Sequence, residues 1–255
     1  MKTDYSQRGF TLVELSIVLV IVGLLVGSIY AGRSLIRQAQ LNSAVADEQQ
    51  YAQAVASFQQ KYGALPGDFA TADTYWGLGT TCPSTYAAPL TPPKTCDGNG
   101  DGQINTNAEY LLFWEHLTDA QLIPGSYSGS PGSAGSLDHV IGTNAPASRI
   151  RGAGFGVTWV GIVTGGTSYY YPNNFGHVFV LGGYASNSLP TGNALTASET
   201  YNLDAKFDDG YPGTGTIQSW QKQGSYTCTT SATQPSAYYT SGSGYLCSLI
   251  FVSGF

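Results

Sequence analysis

Charge is scarce in this chain of 255 residues: Asp, Glu, Lys and Arg together make up 10% of it. The balance is acidic, with a formal net charge of -6, and Lys and Arg form no cluster. That leaves no electrostatic footprint for a nucleic-acid partner, which needs basic side chains gathered on one face. Histidine is limited to His116, His139 and His177, far apart in different contexts. No H-E-x-x-H, no G-x-S-x-G, no phosphate-cradling glycine loop with Lys and no dinucleotide fingerprint occurs. Serines are plentiful, but no spacing supports a Ser/His/Asp triplet, so an enzyme is not expected. Proline is missing before Pro66, and residues 33–62 contain neither Gly nor Pro, so nothing there breaks a helix.

Cysteine is also sparse. Cys82, Cys96, Cys228 and Cys247 contain no C-x-x-C spacing, which argues against a structural zinc site or a thioredoxin-like redox motif. They fall into two pairs local in sequence, each closing a loop rich in Gly, Ser, Thr and Pro. Behind an export signal, an even count reads as two disulfides; the alternative is four reduced, buried thiols. A bridge closing a loop of about 15 residues would contribute roughly 3 kcal/mol by the chain-entropy model. Abundant Gly (33) and Tyr (18) point to a loop-rich, β-leaning body.

The amino terminus is the most informative stretch. Nine polar residues, MKTDYSQRG, carry Lys2 and Arg8 and are followed at once by FTLVELSIVLVIVGLLVGSIYAG, Phe10 to Gly32. Between Glu14 and Arg33 lie 18 residues without charge, the lower limit for a helix that spans a bilayer. The leading basic residues place the leader in the cytoplasm and the body outside. Ala31 and Gly32 could mimic the small-residue cleavage site of an ordinary secretory signal. Glu14 speaks against that reading. A carboxylate inside an apolar helix is costly, so it marks a functional position. Cleavage between Gly9 and Phe10 would create a cationic amine at a similar depth, and a neighbour's amine would neutralise Glu14 when helices bundle.

Arg8 to Leu15, R-G-F-T-L-V-E-L, closely resembles the signal of type IV prepilins and type II secretion pseudopilins: a short basic leader ending in Gly, then Phe, then Glu at the fifth mature position. Gly9, Phe10 and Glu14 match. The resemblance implies cleavage after Gly9 and N-methylation of Phe10 by a prepilin peptidase. It further implies storage in the inner membrane with a periplasmic head, an inner-membrane assembly platform, and polymerisation with identical or related pilin subunits into an extracellular or periplasmic filament. The implied fold is α+β: a long N-terminal helix, its hydrophobic half membrane-spanning and its second half packed on an antiparallel β-sheet head. Domains follow as leader 1–9, transmembrane and assembly helix 10–32, amphipathic helix 33–62 and head 63–255. A secretion pseudopilin or a tip-located minor pilin acting as adhesin are the alternatives; exposed aromatics at Tyr169–Tyr171 and Trp220 would fit the adhesin. Ala64 to Phe69 with Tyr75 and Trp76, and Leu203 to Gly210 (L-D-A-K-F-D-D-G), also resemble segments of large pilin-like proteins, and the Cys228–Cys247 pair is similar to the disulfide-bounded loop of type IV pilins.

Leu41, Val45, Val55, Phe58 and Tyr62 recur at helical spacing and predict a core-facing stripe. Beyond it, one short helix is expected at Ala108–Leu122. Strands are expected at Gly156–Thr164, His177–Leu181 and Tyr245–Val252, the last pairing with Ala237–Thr240 across an S-G-S-G turn.

One local motif carries metal chemistry. In C-D-G-N-G-D-G-Q-I-N, Asp97, Asn99 and Asp101 alternate, Gly102 permits a sharp turn and Gln103 offers a carbonyl, as in an EF-hand-type calcium loop. The twelfth position is Ala108, so Glu109 would serve only through a bulge. Structural Ca²⁺ is expected, against the plainer reading of a hydrated turn tied down by a Cys82–Cys96 bridge. Asp208 and Asp209, before Gly210, form a second and plainer acidic turn.

Overall fold

A computed structural model describes residues 9–77, 95–164, 170–220, 228–231, 235–242, 244 and 247–255. Helix α1 runs unbroken over Leu12–Tyr62, with no proline to interrupt it. The chain divides after Gln40 into two compact units, an N-terminal segment and the body Leu41–Phe255. Its buried stripe begins at the same place: Leu41, Ala44, Val45, Tyr51, Ala54, Val55 and Phe58. Four of the five predicted stripe residues are therefore buried, and Tyr62 packs against their edge.

The body combines this half-helix with an antiparallel sheet, the α+β arrangement expected. Strands β1 (Ala153–Trp159), β4 (His177–Gly183), β5 (Ile217–Ser219) and β6 (Leu249–Val252) lie in the order β1-β4-β6-β5. A two-stranded ribbon pairs β2 (Ile162–Val163) with β3 (Asn173–Asn174). Alternation sends Phe155, Val157, Phe179, Leu181, Leu249 and Phe251 into the core shared with α1. Val178, Val180 and Ile250 point the other way, into a second cluster with Phe175 and Leu189. Both faces are covered, so β4 reads as one continuous apolar run. Tyr51 of α1 locks the layers together, its ring edge-on to Trp114 at 5.1 Å and to Phe155 at 5.2 Å. Such contacts add about 0.5–1.5 kcal/mol each beyond area burial.

Helix α2 is short (Ala72–Trp76), whereas α3 (Asn107–Asp119) fills the position predicted for a helix. Helix α4 (Ala197–Phe207) was not expected. Its inner stripe is Ala197, Thr200, Leu203 and Asp204, with one large apolar residue, too little for hydrophobic periodicity to reveal. Its start was nonetheless written in the chain. Thr196 accepts from the Glu199 amide while Glu199 accepts from the Thr196 amide, a capping box of T-x-x-E form.

Two strand expectations need correction. Gly156–Thr164 is not one strand: Gly161, at φ 68°, breaks it into β1 and β2. Among the described residues the terminal hairpin is not formed either. Strand β6 pairs with β4 (Val180↔Ile250) and β5 (Gln218↔Ile250), while Tyr238 bridges Thr229. Leu249 and Phe251 each bury a large side chain in the core against β4, worth about 1.5–3 kcal/mol apiece, which a local hairpin would not supply.

The outer strands are covered by the chain's own loops. On β5, the Ile217 amide donates to Asp208 Oδ2 (2.8 Å) and the Ser219 amide to the Pro212 carbonyl (2.9 Å). On β1, the Phe155 amide donates to Pro146 and the Trp159 amide to Ile104.

Candidate functional site

Thr11 and Glu14 open α1 with a further capping box. The Glu14 amide donates to Thr11 Oγ1 (3.2 Å), and Glu14 Oε2 accepts from both the Thr11 amide and the Thr11 hydroxyl (2.8 Å each). Both bonds that the Glu14 carboxylate accepts fall on Oε2, and among the described residues nothing bonds to Oε1. Sequence reasoning identified Glu14 as an assembly residue but not as half of a cap, although T-L-V-E has the required spacing.

The segment around it is bare of internal cover. Phe10 is 88% exposed, and even Val26, the least exposed large apolar side chain from Phe10 to Ile36, retains 47%. Among the described residues α1 is the one helix long and apolar enough to cross a membrane. Gly9 is exposed and adjoins Phe10.

The loop Cys96–Asn105 is built differently from the expected calcium site. At its centre is a carboxylate, that of Asp68, which is 3% exposed. Asp68 Oδ1 accepts the amides of Gly100 (2.7 Å) and Asp101 (3.0 Å), and Oδ2 accepts that of Gly102 (2.8 Å). The successive amides form an anion-binding concavity that the protein fills itself. Gly98 allows the two strands of chain to touch, because a Cβ there would collide with the backbone of Gly67 and Asp68. Glu109 is buried too: it caps α3 in a box with Thr106 and accepts the amides of Asn99, Asn105 and Thr106 at 3.0–3.2 Å. Asp97 accepts the Asp73 amide (2.9 Å). The structure does bring Asn99, Asp101 and Gln103 together with Asn105, at the surface, through side-chain bonds of 3.1–3.3 Å. A cation there would meet Asp101 as its one full carboxylate, with amide oxygens of Gln103 and Asn105 beside it; Asp97 and Glu109 are committed elsewhere.

The Cys228–Cys247 disulfide is formed, and Cys96 is disulfide-bonded, while Cys82 lies outside the described residues. Asp204, Asp208 and Asp209 gather their carboxylates within 4.8 Å of one another. Each has donors of its own: Tyr238 and Gly210 for Asp204, Thr216 and Ile217 for Asp208, Tyr211 and Thr214 for Asp209. Burial, with the Asp209 and Asp208 charges adding, pushes the Asp204 carboxyl up to about 6.

The histidines hold the fold together. His116 Nδ1 accepts the Gly67 amide (2.9 Å), so Nε2 carries the proton and donates to Thr95 Oγ1 and the Cys96 carbonyl (3.1 Å each). It therefore cannot act as a base toward Thr95, and burial lowers its pKa to about 4. Beside it, burial pushes the Glu115 carboxyl up to about 8 although Thr95 bonds to it. His139 donates through Nδ1 to the carbonyls of Leu137 and Ser188. The aromatics considered for surface recognition are largely core: Tyr171 is fully buried and donates to Ser231 and Ser236, and Tyr170 packs on Trp220 and Phe175. Tyr169 lies outside the described residues.

Residues 5–30 match the prokaryotic N-terminal methylation motif, the type IV prepilin-type signal. No curated protein and no solved structure matches the chain.

Proposed function

Because the chain carries a type IV prepilin-type signal on a long apolar helix that leads into an antiparallel sheet domain, we propose that it is the precursor of a structural, non-catalytic subunit of a type IV pilus-like filament. The observation that carries this reading is the combination at α1: a matched signal, an uncovered apolar surface from Phe10 to Ile36, and Glu14 with one oxygen unbonded among the described residues. In this reading the precursor waits in the inner membrane with its body in the periplasm. A prepilin peptidase cuts between Gly9 and Phe10 and methylates the Phe10 amine. Alone in lipid, Glu14 costs about 2.5–3.5 kcal/mol on insertion scales. Its open Oε1 then accepts the Phe10 amine of a neighbouring subunit, which offsets that cost, and the uncovered helix faces pack together. The body, Leu41–Phe255, is large, which favours a pilin or large minor subunit over a main secretion pseudopilin.

Calcium belongs to this reading only as a weak surface site at Asp101, Gln103 and Asn105, on a loop whose closure rests on Asp68 and Glu109. One carboxylate at the surface corresponds to the millimolar affinities of extracellular modules.

The test is made on cells expressing the full chain. Sheared material should contain a mature chain beginning at N-methyl-Phe10, and Glu14→Ala should leave processing intact while abolishing filaments. A chain retaining Met1, one cut near Ala31–Gly32, or normal filaments from Glu14→Ala would overturn the assignment.

A further inference from the structure

A cleft of about 650 Å³ opens in the body where the carboxyl end of α1 meets the sheet. Gln59, Gly63, Asp68, Trp159, His177 and Phe255 form its principal walls. Three independent features give it one electrostatic sign. First, α1 ends here: Gly63, at φ 71°, turns the chain and donates its amide to the Gln59 carbonyl, so the partial negative charge of the helix terminus borders the cleft. Second, Asp68 lies behind the wall, buried with its oxygens on the amides of Gly100, Asp101 and Gly102, so it contributes its charge rather than a free acceptor, and Asp101 is close enough to act on His177. Third, no Lys or Arg is among the described lining residues (Lys61, in the last turn of α1, lies over the Tyr62 ring), and His177 brings no positive charge, since its Nε2 accepts the Ile104 amide (3.1 Å) while Nδ1 donates to the Phe255 carbonyl (2.7 Å).

Aromatic surface completes the site. Phe255 stacks on His177 at 5.2 Å, and Trp159 stands edge-on to the same imidazole at 4.8 Å. Gly161 and Gly176 flank the indole; a Cβ at Gly161 would lie 3.2 Å from Trp159 Nε1 and one at Gly176 3.7 Å from the ring. The indole N–H and the exposed Gln59 amide make no hydrogen bond among the described residues. An aromatic wall beside a helix carboxyl terminus, with the charge of a buried carboxylate behind it, suits an ammonium group.

We propose that this cleft binds a primary alkylammonium group, with the ammonium at the α1 terminus in the field of the buried Asp68 carboxylate and its aliphatic chain against Trp159 and Phe255. Two sources share that chemistry, the side chain of a polypeptide lysine and a free polyamine.

The experiment uses the full chain in detergent with EGTA present, titrated with n-butylammonium while tryptophan fluorescence and heat are recorded. Saturable binding of n-butylammonium is expected, with none for n-butanol, its neutral analogue. Gln59 is exposed, so charge can be placed at the rim without disturbing the core. One unit charge there should change affinity by about tenfold, with Gln59→Lys weakening and Gln59→Glu strengthening it. A merely structural disturbance would not give opposite signs. Tighter binding of Nα-acetyl-lysine amide than of spermidine assigns the polypeptide source, and the reverse order the free polyamine. Equal binding of butanol and butylammonium, shifts of the same sign in the two Gln59 variants, or no saturable binding of any amine would overturn the proposal.

Discussion

Replacing Asp68 by Asn preserves the size of the side chain and removes its charge, which isolates what the carboxylate contributes to the loop. In the native structure Oδ1 accepts two amides and Oδ2 one, at 2.7–3.0 Å. Hydrogen bonds to a charged partner contribute about 1.5–3 kcal/mol each, neutral ones about 0.5–1.5. The best arrangement for the substituted side chain keeps its oxygen toward Gly100 and Asp101 and turns its amino group against the Gly102 N–H. Two bonds weaken and one is replaced by two donors facing each other, a loss of about 3.5–6 kcal/mol. For a body of this size that lowers the midpoint of thermal unfolding by roughly 7–24 °C. Circular dichroism or scanning calorimetry of the full chain in detergent measures it. The wild type and Asp68→Asn should keep the same difference with and without 10 mM Ca²⁺, because the loop is closed by protein acceptors. A loss below about 0.5 kcal/mol, in the range of ordinary surface substitutions, or full rescue by Ca²⁺ would refute the reasoning.

Other expectations concern the same region. Glu115 has a folded-state pKa of about 8, raised from 4.5 by burial, so its contribution to stability is complete below pH 4.5 and is lost as pH rises toward 8. The slope is about 1.4 kcal/mol per pH unit. His116, lowered to about 4 from 6.5, works in the opposite direction below pH 6.5, so the fall should be clearest between pH 6.5 and 8. Glu115→Gln should flatten the melting temperature across that window, and parallel pH profiles for the two proteins would contradict this. Gly98→Ala should destabilise by about 2 kcal/mol or more, because the new methyl group meets backbone rather than a movable side chain; an unchanged urea midpoint would show that the loop can shift. Calcium titration of the wild type by calorimetry should give a millimolar site that Asp101→Asn removes and Asp97→Asn leaves in place.

The amino terminus was legible because its information is local: Gly9, Phe10 and Glu14 stand within six residues, and an 18-residue uncharged run has few other meanings. Three helix starts share the T-x-x-E spelling, at Thr11, Thr106 and Thr196, so even α4 was within reach of the chain alone. What could not be read was the centre of the loop. Asp97, Asn99 and Asp101 point to a cation site by spacing, whereas the acceptor that holds the amides of Gly100, Asp101 and Gly102 is Asp68, which comes from far upstream. The pairing of β6 failed for a similar reason. A Gly/Ser turn favours the nearest strand, whereas Leu249 and Phe251 gain more from the distant core that α1 and β4 provide.

The capping of the outer strands bears on how the molecule behaves in a crowd. A polymer of the kind proposed holds many copies of the body side by side at very high local concentration, where exposed edges would zip together out of register. Asp208 and the carbonyls of Pro212, Pro146 and Ile104 already occupy outward amides on β5 and β1. Lateral fusion of neighbouring sheets would first have to break these bonds. Replacing Asp208 should therefore show itself less in the lone subunit than in the solubility of concentrated material.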